Sequence, residues 1–173
     1  MDLWLREQIG DLNMKFCPLC AQTLEEIQID GKPRLSCTSE TCSYVFWNNP
    51  TPVVAALVER DGYVILVRNK EWPKKIFGLV SGFLEEGETP DTAVLREIKE
   101  ELGADGKLID FIGNYSFFEM NQLIIAFHVL VEGDITLGEE LADMRAIPPK
   151  KLRPWPLGTG PAVKDWLKRR QQP

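Results

Sequence analysis

The chain has 173 residues, of which 44% are hydrophobic, and its formal net charge is −6. This length allows one ordinary domain with a small appendage, since domains usually contain about 150 residues. The acidic balance argues against a general nucleic-acid binder and against a membrane-surface binder, although it leaves room for a local basic patch. The sequence opens without a signal-peptide pattern and contains no apolar run near the roughly 18 residues of a membrane span. We therefore expect a soluble, cytoplasmic protein.

The first 15 residues form a short segment that carries a few large apolar side chains. Such a segment predicts either a terminal helix that packs on another surface or a frayed end. It could serve as a homodimer contact, although the sequence does not fix the oligomeric state.

All four cysteines follow this segment, as Cys17-Pro-Leu-Cys20 and Cys37-Thr-Ser-Glu-Thr-Cys42. The 16 residues between the two pairs are long enough for a β-hairpin that brings four sulfur atoms together. Four thiolates form a closed structural Zn²⁺ site, which leaves no open position for catalysis. Paired disulfides and free thiols are the alternatives. We predict a structural zinc ribbon over residues 16–48.

The sequence becomes strand-like after the stiff turn at residues 48–52. Residues 53–58 and 63–67 are rich in β-branched side chains and are joined by Asp61-Gly62, a hairpin signal. The tail predicts a helix that starts at Pro161. Further strands are predicted at residues 76–80, 108–112, after Tyr115, 123–131 and 144–147. Strands interleaved with a central and a C-terminal helix predict an α/β sandwich.

The central helix lies in the stretch from Gly82 to Ala104, GFLEEGETPDTAVLREIKEELGA. Thr89 is a good N-cap, Pro90 suits the first helical position, and Gly103 suits the position after the last turn. At roughly 100° per residue, the helix has a bulky apolar arc and an acidic arc on the far side. The apolar arc comprises Val94, Leu95, Ile98 and Leu102. The acidic arc comprises Glu97, Glu100 and Glu101, with Ala93 beside them.

The acidic arc points to a divalent cation. Carboxylates gathered this closely repel one another unless a cation lies among them, and hard oxygen ligands favour Mg²⁺ or Mn²⁺ over zinc. Arg96 flanks the acids with a guanidinium that can hold one of them in place. The alternative is an ordinary solvated acidic face of a helix.

The whole stretch resembles the Nudix box, G-x5-E-x7-R-E-U-x-E-E-x-G-U, in which U is a bulky aliphatic residue. Every position is met except the last, where Ala104 replaces Ile, Leu or Val. The matching residues are Gly82, Glu88, Arg96, Glu97, Ile98, Glu100, Glu101 and Gly103. The resemblance implies a Nudix α/β/α sandwich with a mixed sheet over residues 52–173. It also implies hydrolysis of a nucleoside diphosphate linked to another group, X.

The resemblance implies that Mg²⁺ or Mn²⁺ clamps the pyrophosphate while water attacks one phosphorus. The cation ligands would be Glu97, Glu100, Glu101 and the carbonyl of Gly82. The candidates for the base are Glu101 and Glu100 and, in a downstream loop, Glu139 and Glu140. Arg96 would complete the catalytic set, and Glu88 would orient Arg96 rather than bind the cation.

The ribbon segment resembles the zinc ribbon that precedes the Nudix domain in NADH pyrophosphatases, through FCPLC, RLSC and YVFWNNPTP. We therefore expect a small-molecule dinucleotide substrate resembling NADH, ADP-ribose or FAD, cleaved to AMP or another nucleoside monophosphate. A strict preference for NADH is doubtful, because SFFEMNQ stands at residues 116–122 where NADH-specific members carry S-Q-P-W-P-F-P-x-S. The candidate substrate contacts are Arg68, Phe117, Phe118 and Glu119, with Trp47 or Trp72 as further aromatic candidates.

Two alternative functions remain. The same box supports a sanitising hydrolase of modified nucleoside triphosphates. A nucleotide-sensing binding module, in which the ribbon binds nucleic acid or a protein, is less consistent with the intact acids. Residues 168–170, Lys-Arg-Arg, nevertheless form a short basic segment that could contact nucleic acid. His128 is the only histidine, and it lies in an apolar strand, so we interpret it as a core or sheet-face residue.

Overall fold

The computed structural model describes residues 14–171, which contain nine β-strands, two α-helices and a short 3₁₀ helix at Phe118–Met120. The chain divides into two compact units between Pro50 and Thr51. The predicted N-terminal segment, apart from its last two residues, lies outside the described residues. Within the described range, no helix is both long and apolar enough to span a bilayer.

The first unit contains a three-stranded antiparallel sheet. Its strands β1 (Leu24–Ile29) and β2 (Lys32–Cys37) form a hairpin, and β3 (Val45–Phe46) pairs with β2. The hairpin turns at Asp30 and Gly31, whose φ angles are 51° and 75°. Positive φ at both turn residues matches the twist of the flanking strands. The residues between the two cysteine pairs therefore contain the predicted hairpin.

The second unit contains β4 (Thr51–Arg60), β5 (Tyr63–Asn69), β6 (Val80–Phe83), β7 (Gly106–Phe117), β8 (Gln122–Val131) and β9 (Leu141–Ile147). These strands form one mixed sheet with the order β7-β8-β4-β5-β9, and β6 pairs with β4. β4 is parallel to β8 and antiparallel to β5 and β6. The β4–β5 turn has positive φ at Asp61 (50°) and Gly62 (78°), as the hairpin signal predicts.

Strand β4 is apolar on both faces, and a helix covers each face of the sheet. Val54 packs in the cluster that includes helix α1 (Pro90–Leu102), and Leu57 packs in the cluster that includes α2 (Gly160–Arg170). A strand buried on both sides appears in a sequence as a continuous apolar run. The predicted α/β sandwich with a mixed sheet is confirmed.

Helix α1 begins and ends where the sequence predicts. The Thr89 N–H donates to the Thr92 hydroxyl (3.1 Å), and the Thr89 carbonyl accepts from the Ala93 N–H (2.9 Å). At the other end, Gly103 has φ 63°, and its N–H donates to the Lys99 carbonyl (3.0 Å). The Ala93–Thr89 bond is the first hydrogen bond of the helix itself. The contacts of the Thr89 and Gly103 N–H groups satisfy backbone groups that a helix leaves without partners at its ends.

One predicted strand starts later than expected. Residues 76–80 were expected to be extended, but the Ile76 N–H donates to the Pro73 carbonyl (2.9 Å) in a turn. Gly78 forms only an isolated bridge, and β6 begins at Val80. The apolar run continues into the turn because Phe77 packs in the core on the α2 side.

The two strands predicted at residues 108–112 and after Tyr115 form a single strand, β7. Its pairing with β8 shifts register between Leu108 and Asp110 and again between Phe111 and Gly113. Such bulges bend a strand without ending it. They also disturb the alternation of apolar side chains, which is why the sequence suggests two elements.

His128 is a sheet-face residue, as predicted, and it lies on the face that α2 covers. Its Nε2 lies 3.0 Å from the Glu59 carboxylate, which also accepts a hydrogen bond from Arg170 (3.0 Å). The His128 ring meets the Trp166 ring edge-on, with centroids 5.4 Å apart. This contact network ties the last turn of α2 to the centre of the sheet.

The short basic segment at residues 168–170 forms ion pairs within the second unit. Besides the Arg170–Glu59 pair, Arg169 lies 2.9 Å from Asp110, and Lys168 lies 3.3 Å from Asp165. Each of the three basic side chains therefore has an acidic partner within the second unit.

Protonation of His128 should destabilise the fold. Burial lowers its pKa below 6.5, Arg170 acts in the same direction, and Glu59 and Asp110 oppose both. The unfolded chain therefore takes up this proton more readily, and stability falls as pH drops through about 6.5. We expect the Tm of the wild type to fall more steeply between about pH 7.5 and 5.5 than that of His128→Gln. Equal slopes in thermal unfolding would contradict this expectation.

Candidate functional site

A cleft of about 650 Å³ opens beside α1 in the second unit. Three separate parts of the chain line it: β6 with the loop after it, helix α1, and the loop before β9. The lining residues are Ser81, Gly82, Phe83, Glu85, Arg96, Glu97, Glu100, Glu101, Gly138, Glu139, Glu140 and Leu141. The predicted cation ligands and base candidates therefore all line the same cleft.

Glu97 is more buried than the helical pattern suggests. The acidic arc was expected to face away from the core, but Glu97 is only 9% exposed and Ala93 is fully buried. Strand β6 lies against this side of α1, and a Cβ atom at Gly82 would collide with the Glu97 carboxylate. Because Gly82 has no side chain, the carboxylate can lie directly on the β6 backbone.

Arg96 holds the acidic side chains of this site. Its Nε and Nη2 donate to the two carboxylate oxygens of Glu88 (2.7 and 3.0 Å). Its Nη1 donates to Glu97 (2.8 Å) and Glu100 (2.9 Å), and Nη2 also donates to the Phe83 carbonyl (3.1 Å). The paired hydrogen bonds with Arg96 lower the pKa of Glu88. One guanidinium therefore fixes three carboxylates and the loop after β6.

Glu101 has no such partner. Its Oε2 is buried and, among the described residues, makes no hydrogen bond. Burial, followed by the charges of Glu97, Glu140 and Glu100, raises its pKa to about 8. Burial also raises the pKa of Glu97, although Arg96 opposes the effect. An orphaned carboxylate oxygen among other carboxylates suits a hard divalent cation such as Mg²⁺ or Mn²⁺.

The glutamates of α1 line one cleft without forming a tight cluster. Within residues 14–171, the four cysteines are the only group of three or more Cys, His, Asp or Glu residues whose ligand atoms all lie within 4.8 Å of one another. A positive charge of the chain itself lies beside two of them, because Arg96 Nη1 donates to an oxygen of Glu97 and to one of Glu100.

The predicted substrate contacts do not line this cleft. Arg68 follows Val64 and Leu66 in the alternation of β5, so it lies on the α2 side of the sheet. Phe117 packs on that side, and Phe118 is 86% exposed. A role for these residues and for Glu119 in substrate binding stays a prediction.

Sequence reasoning missed several residues of the cleft, including Ser81, Phe83, Glu85, Gly138 and Leu141. Gly138 carries a usable signal, because a glycine just before the paired acids Glu139 and Glu140 indicates a close backbone approach. The others carry none, since ordinary residue types reach the cleft only through the pairing of distant strands.

Glu88→Gln should impair the site through Arg96. The amide has one acceptor oxygen and no charge, so the paired hydrogen bonds from Arg96 are lost. We expect kcat to fall roughly tenfold because Glu97 and Glu100 lose their fixed orientation. Steady-state kinetics would measure the change. Glu86→Gln is the matched control, since Glu86 is exposed in the same loop; equal kinetics for the two variants would contradict the prediction.

The four cysteines converge in the first unit. The sulfur atoms of Cys17 and Cys42 lie 3.7 Å apart, those of Cys20 and Cys37 lie 3.4 Å apart, and none forms a disulfide. Sulfurs at a tetrahedral Zn²⁺ lie about 3.8 Å apart, given Zn–S bonds near 2.3 Å. The four thiols therefore fit a zinc ribbon.

Relatives of known sequence match between 48% and 90% of the chain. The NAD-capped RNA hydrolase NudC of Pseudomonas putida KT2440 is 24% identical over 157 residues, which cover 90% of this chain and 53% of the relative. NudC of Mycobacterium tuberculosis H37Rv is 35% identical over 85 residues, which cover 48% of this chain and 27% of the relative. The chain thus spans at most about half the length of these curated relatives.

Solved structures share the fold. A Nudix hydrolase from Nitrosomonas europaea superposes with a TM-score of 0.75 at 24% identity, covering 92% of this chain and 95% of that one. An ADP-ribose pyrophosphatase from Streptococcus suis superposes with a TM-score of 0.59 at 16% identity, covering 72% of this chain and 94% of that one. The NUDIX domain family itself matches residues 49–168. Because this match takes in well over half of the chain, including the whole acidic cleft, the protein belongs to the NUDIX family.

Proposed function

We propose that the protein is a pyrophosphohydrolase that needs Mg²⁺ or Mn²⁺ and cleaves a nucleoside diphosphate linked to a second group. The observation that carries this proposal is the cleft in which Arg96 fixes Glu97 and Glu100 while a buried oxygen of Glu101 lacks a partner among the described residues. The names of the matched proteins, NAD-capped RNA hydrolase and ADP-ribose pyrophosphatase, support a substrate resembling NAD or ADP-ribose.

The cation would be held by Glu97, Glu100, Glu101 and the Gly82 carbonyl, and it would neutralise the pyrophosphate and polarise a water molecule. Arg96 keeps two of these carboxylates in place. Glu101 is the first candidate for the base, because its free oxygen faces no competing donor among the described residues. Glu140 lines the same cleft and is the alternative.

The reaction consumes one water molecule. The water oxygen attacks one phosphorus in line, the P–O bond to the bridging oxygen breaks, and the proton passes to the carboxylate base. The bridging oxygen leaves with the other phosphate. Two phosphate monoesters result, one of them AMP when the substrate is an adenine dinucleotide.

We assign residues 16–48 to a zinc ribbon and residues 52–173 to the Nudix domain. Four thiolates fill the coordination sphere of Zn²⁺, so the ribbon would have a structural role and no part in the hydrolysis. The catalytic cation and the zinc would therefore be bound by separate parts of the chain, with oxygen and sulfur ligands respectively.

A hydrolysis screen with product identification tests the proposed function. The panel contains NADH, NAD-capped RNA, ADP-ribose, FAD, diadenosine polyphosphates and nucleoside triphosphates, each with Mg²⁺ or Mn²⁺ and with chelator. We expect nucleoside monophosphate from a dinucleotide, and no product with chelator. Pyrophosphate released from a triphosphate would favour a sanitising hydrolase, and no turnover across the panel would favour a nucleotide sensor.

A further inference from the structure

The loop before β9 is hydrogen-bonded to the C-terminal end of α1. The Thr136 N–H donates to the Leu102 carbonyl (2.9 Å), and the Gly138 N–H donates to the Glu101 carbonyl (2.8 Å). Carbonyls in the last turn of a helix have no partner within the helix. The N–H groups of the loop thus bond to carbonyls that a further turn of the helix would otherwise use. One of these carbonyls belongs to Glu101, whose side chain lines the cleft.

Gly138 has no room for a side chain. A Cβ atom there would collide with the Glu100 carbonyl oxygen and would lie 3.2 Å from the Glu101 Cα. The obstacle is helix backbone, which cannot rotate away as a flexible side chain can. The φ of Gly138 lies outside the left-handed region, so close approach rather than backbone conformation requires the glycine here.

The same loop carries Glu140 into the cleft. A turn closes after Gly138, because the Leu141 N–H donates to the Gly138 carbonyl (3.1 Å), and the Lys70 N–H donates to the Glu140 carbonyl (2.9 Å). The backbone around Glu140 is therefore hydrogen-bonded to α1 through Gly138, and to the residue after β5 through the Glu140 carbonyl. Its charge contributes to the raised pKa values of Glu97 and Glu101.

We propose that Gly138 is a positioning residue that holds the Glu140 carboxylate against the glutamates of α1 during hydrolysis. This inference rests on the proposed function. Gly138 has no side chain that could reach the substrate, and it acts through the placement of Glu140. An added methyl group would push the loop away from α1 and carry Glu140 with it.

A double-mutant cycle tests the inference. We expect Gly138→Ala to lower kcat by roughly 10²-fold with KM changed less than about threefold, because small misplacements of catalytic groups cost this much. In the Glu140→Gln background, Gly138→Ala should lower kcat by less than about threefold. Wild-type-like kcat in Gly138→Ala, or an undiminished loss in the Glu140→Gln background, would overturn the proposal.

Two further variants separate positioning from loop stability. Gly133→Ala is the matched control, since Gly133 has φ +80° and a Cβ there meets nothing within 4 Å. It should strain the same loop and leave kcat within about threefold of wild type. If Gly138→Ala does not fold, Leu137→Ala replaces it in the cycle, because Leu137 packs against the α1 core. A loss of kcat in Leu137→Ala that persists without Glu140 would overturn the proposal.

Hydrogen exchange provides a readout that does not depend on any substrate. The amides of Thr136 and Gly138 should exchange slowly in the wild type, and the Thr136 amide should exchange faster in Gly138→Ala. Fast exchange in the wild type would show that the loop is not fastened to α1 and would overturn the inference. If these amides exchange slowly but the chain hydrolyses nothing in the panel, the proposed function is wrong. The role assigned to Glu140 would then be wrong as well, although the contact between the loop and α1 would be confirmed.

Discussion

Glu101→Gln is expected to lower kcat by roughly 10²–10⁴-fold, the usual contribution of a general base, without loss of fold. Glutamine keeps the shape of the side chain but can neither take up the proton nor balance a cation. Steady-state kinetics on the best substrate, with circular dichroism to check the fold, measures the effect. Glu86→Gln serves as the control because Glu86 is an exposed glutamate that does not line the cleft.

The same variant should be more stable than the wild type in alkaline, chelator-treated solution. The pKa of Glu101 rises from 4.5 to about 8 in the folded chain, chiefly through burial. The protonated carboxyl group therefore makes its full contribution to the free energy of unfolding below about pH 4.5. This contribution is lost as the pH rises toward 8, because the unfolded chain loses the proton more easily. Glutamine cannot ionise, so the Tm of Glu101→Gln should exceed that of the wild type near pH 8 and approach it near pH 5.

Two results would contradict this account of Glu101. Retention of kcat within about threefold would show that it is neither the base nor a necessary cation ligand, and would direct the assignment to Glu140. A variant less stable than the wild type at pH 8 would show that the buried carboxylate has a compensating partner. The first result bears on the chemistry, and the second bears only on the electrostatics of the cleft.

Removal of zinc is expected to unfold residues 16–50 and to leave the second unit structured. Structural Zn²⁺ sites bind with apparent free energies of about 10–16 kcal/mol in zinc-finger peptides, and this energy is largely folding energy in so small a unit. Metal analysis of the full chain should give one zinc per molecule. After treatment with a strong chelator, hydrogen exchange should become fast in the hairpin and remain slow in β4.

Cys37→Ser tests the same zinc site by mutation, since this substitution removes one of the four sulfur ligands. We expect zinc content to fall well below one per chain and the hairpin amides to lose protection. Ser39→Ala changes a neighbouring side chain that supplies no sulfur, and it should retain full zinc. A wild-type chain purified without zinc but with a protected hairpin would contradict a structural role for the metal.

Several features of the protein follow from local sequence signals. Thr89, Pro90 and Gly103 mark the ends of α1 because caps act on backbone groups within one turn. Asp61-Gly62 marks the β4–β5 hairpin for a similar reason, since positive φ suits few residue types. The spacing of the cysteines predicts their convergence, and the match to the Nudix box identifies three of the acidic residues that line the cleft, Glu97, Glu100 and Glu101.

Other features depended on which distant segments pack together. Glu97 is buried because β6 presents Gly82 to it, whereas the helical period by itself placed that residue on the outer arc. Arg68 and Phe117 lie on the α2 side of the sheet because of strand pairing and packing, which the residue types themselves do not indicate. Local backbone chemistry thus determined the elements and their caps. Only the tertiary structure decided which carboxylates Arg96 holds, which oxygen of Glu101 is left without a partner, and how the loop at Gly138 meets α1, because these depend on contacts between residues far apart in the chain.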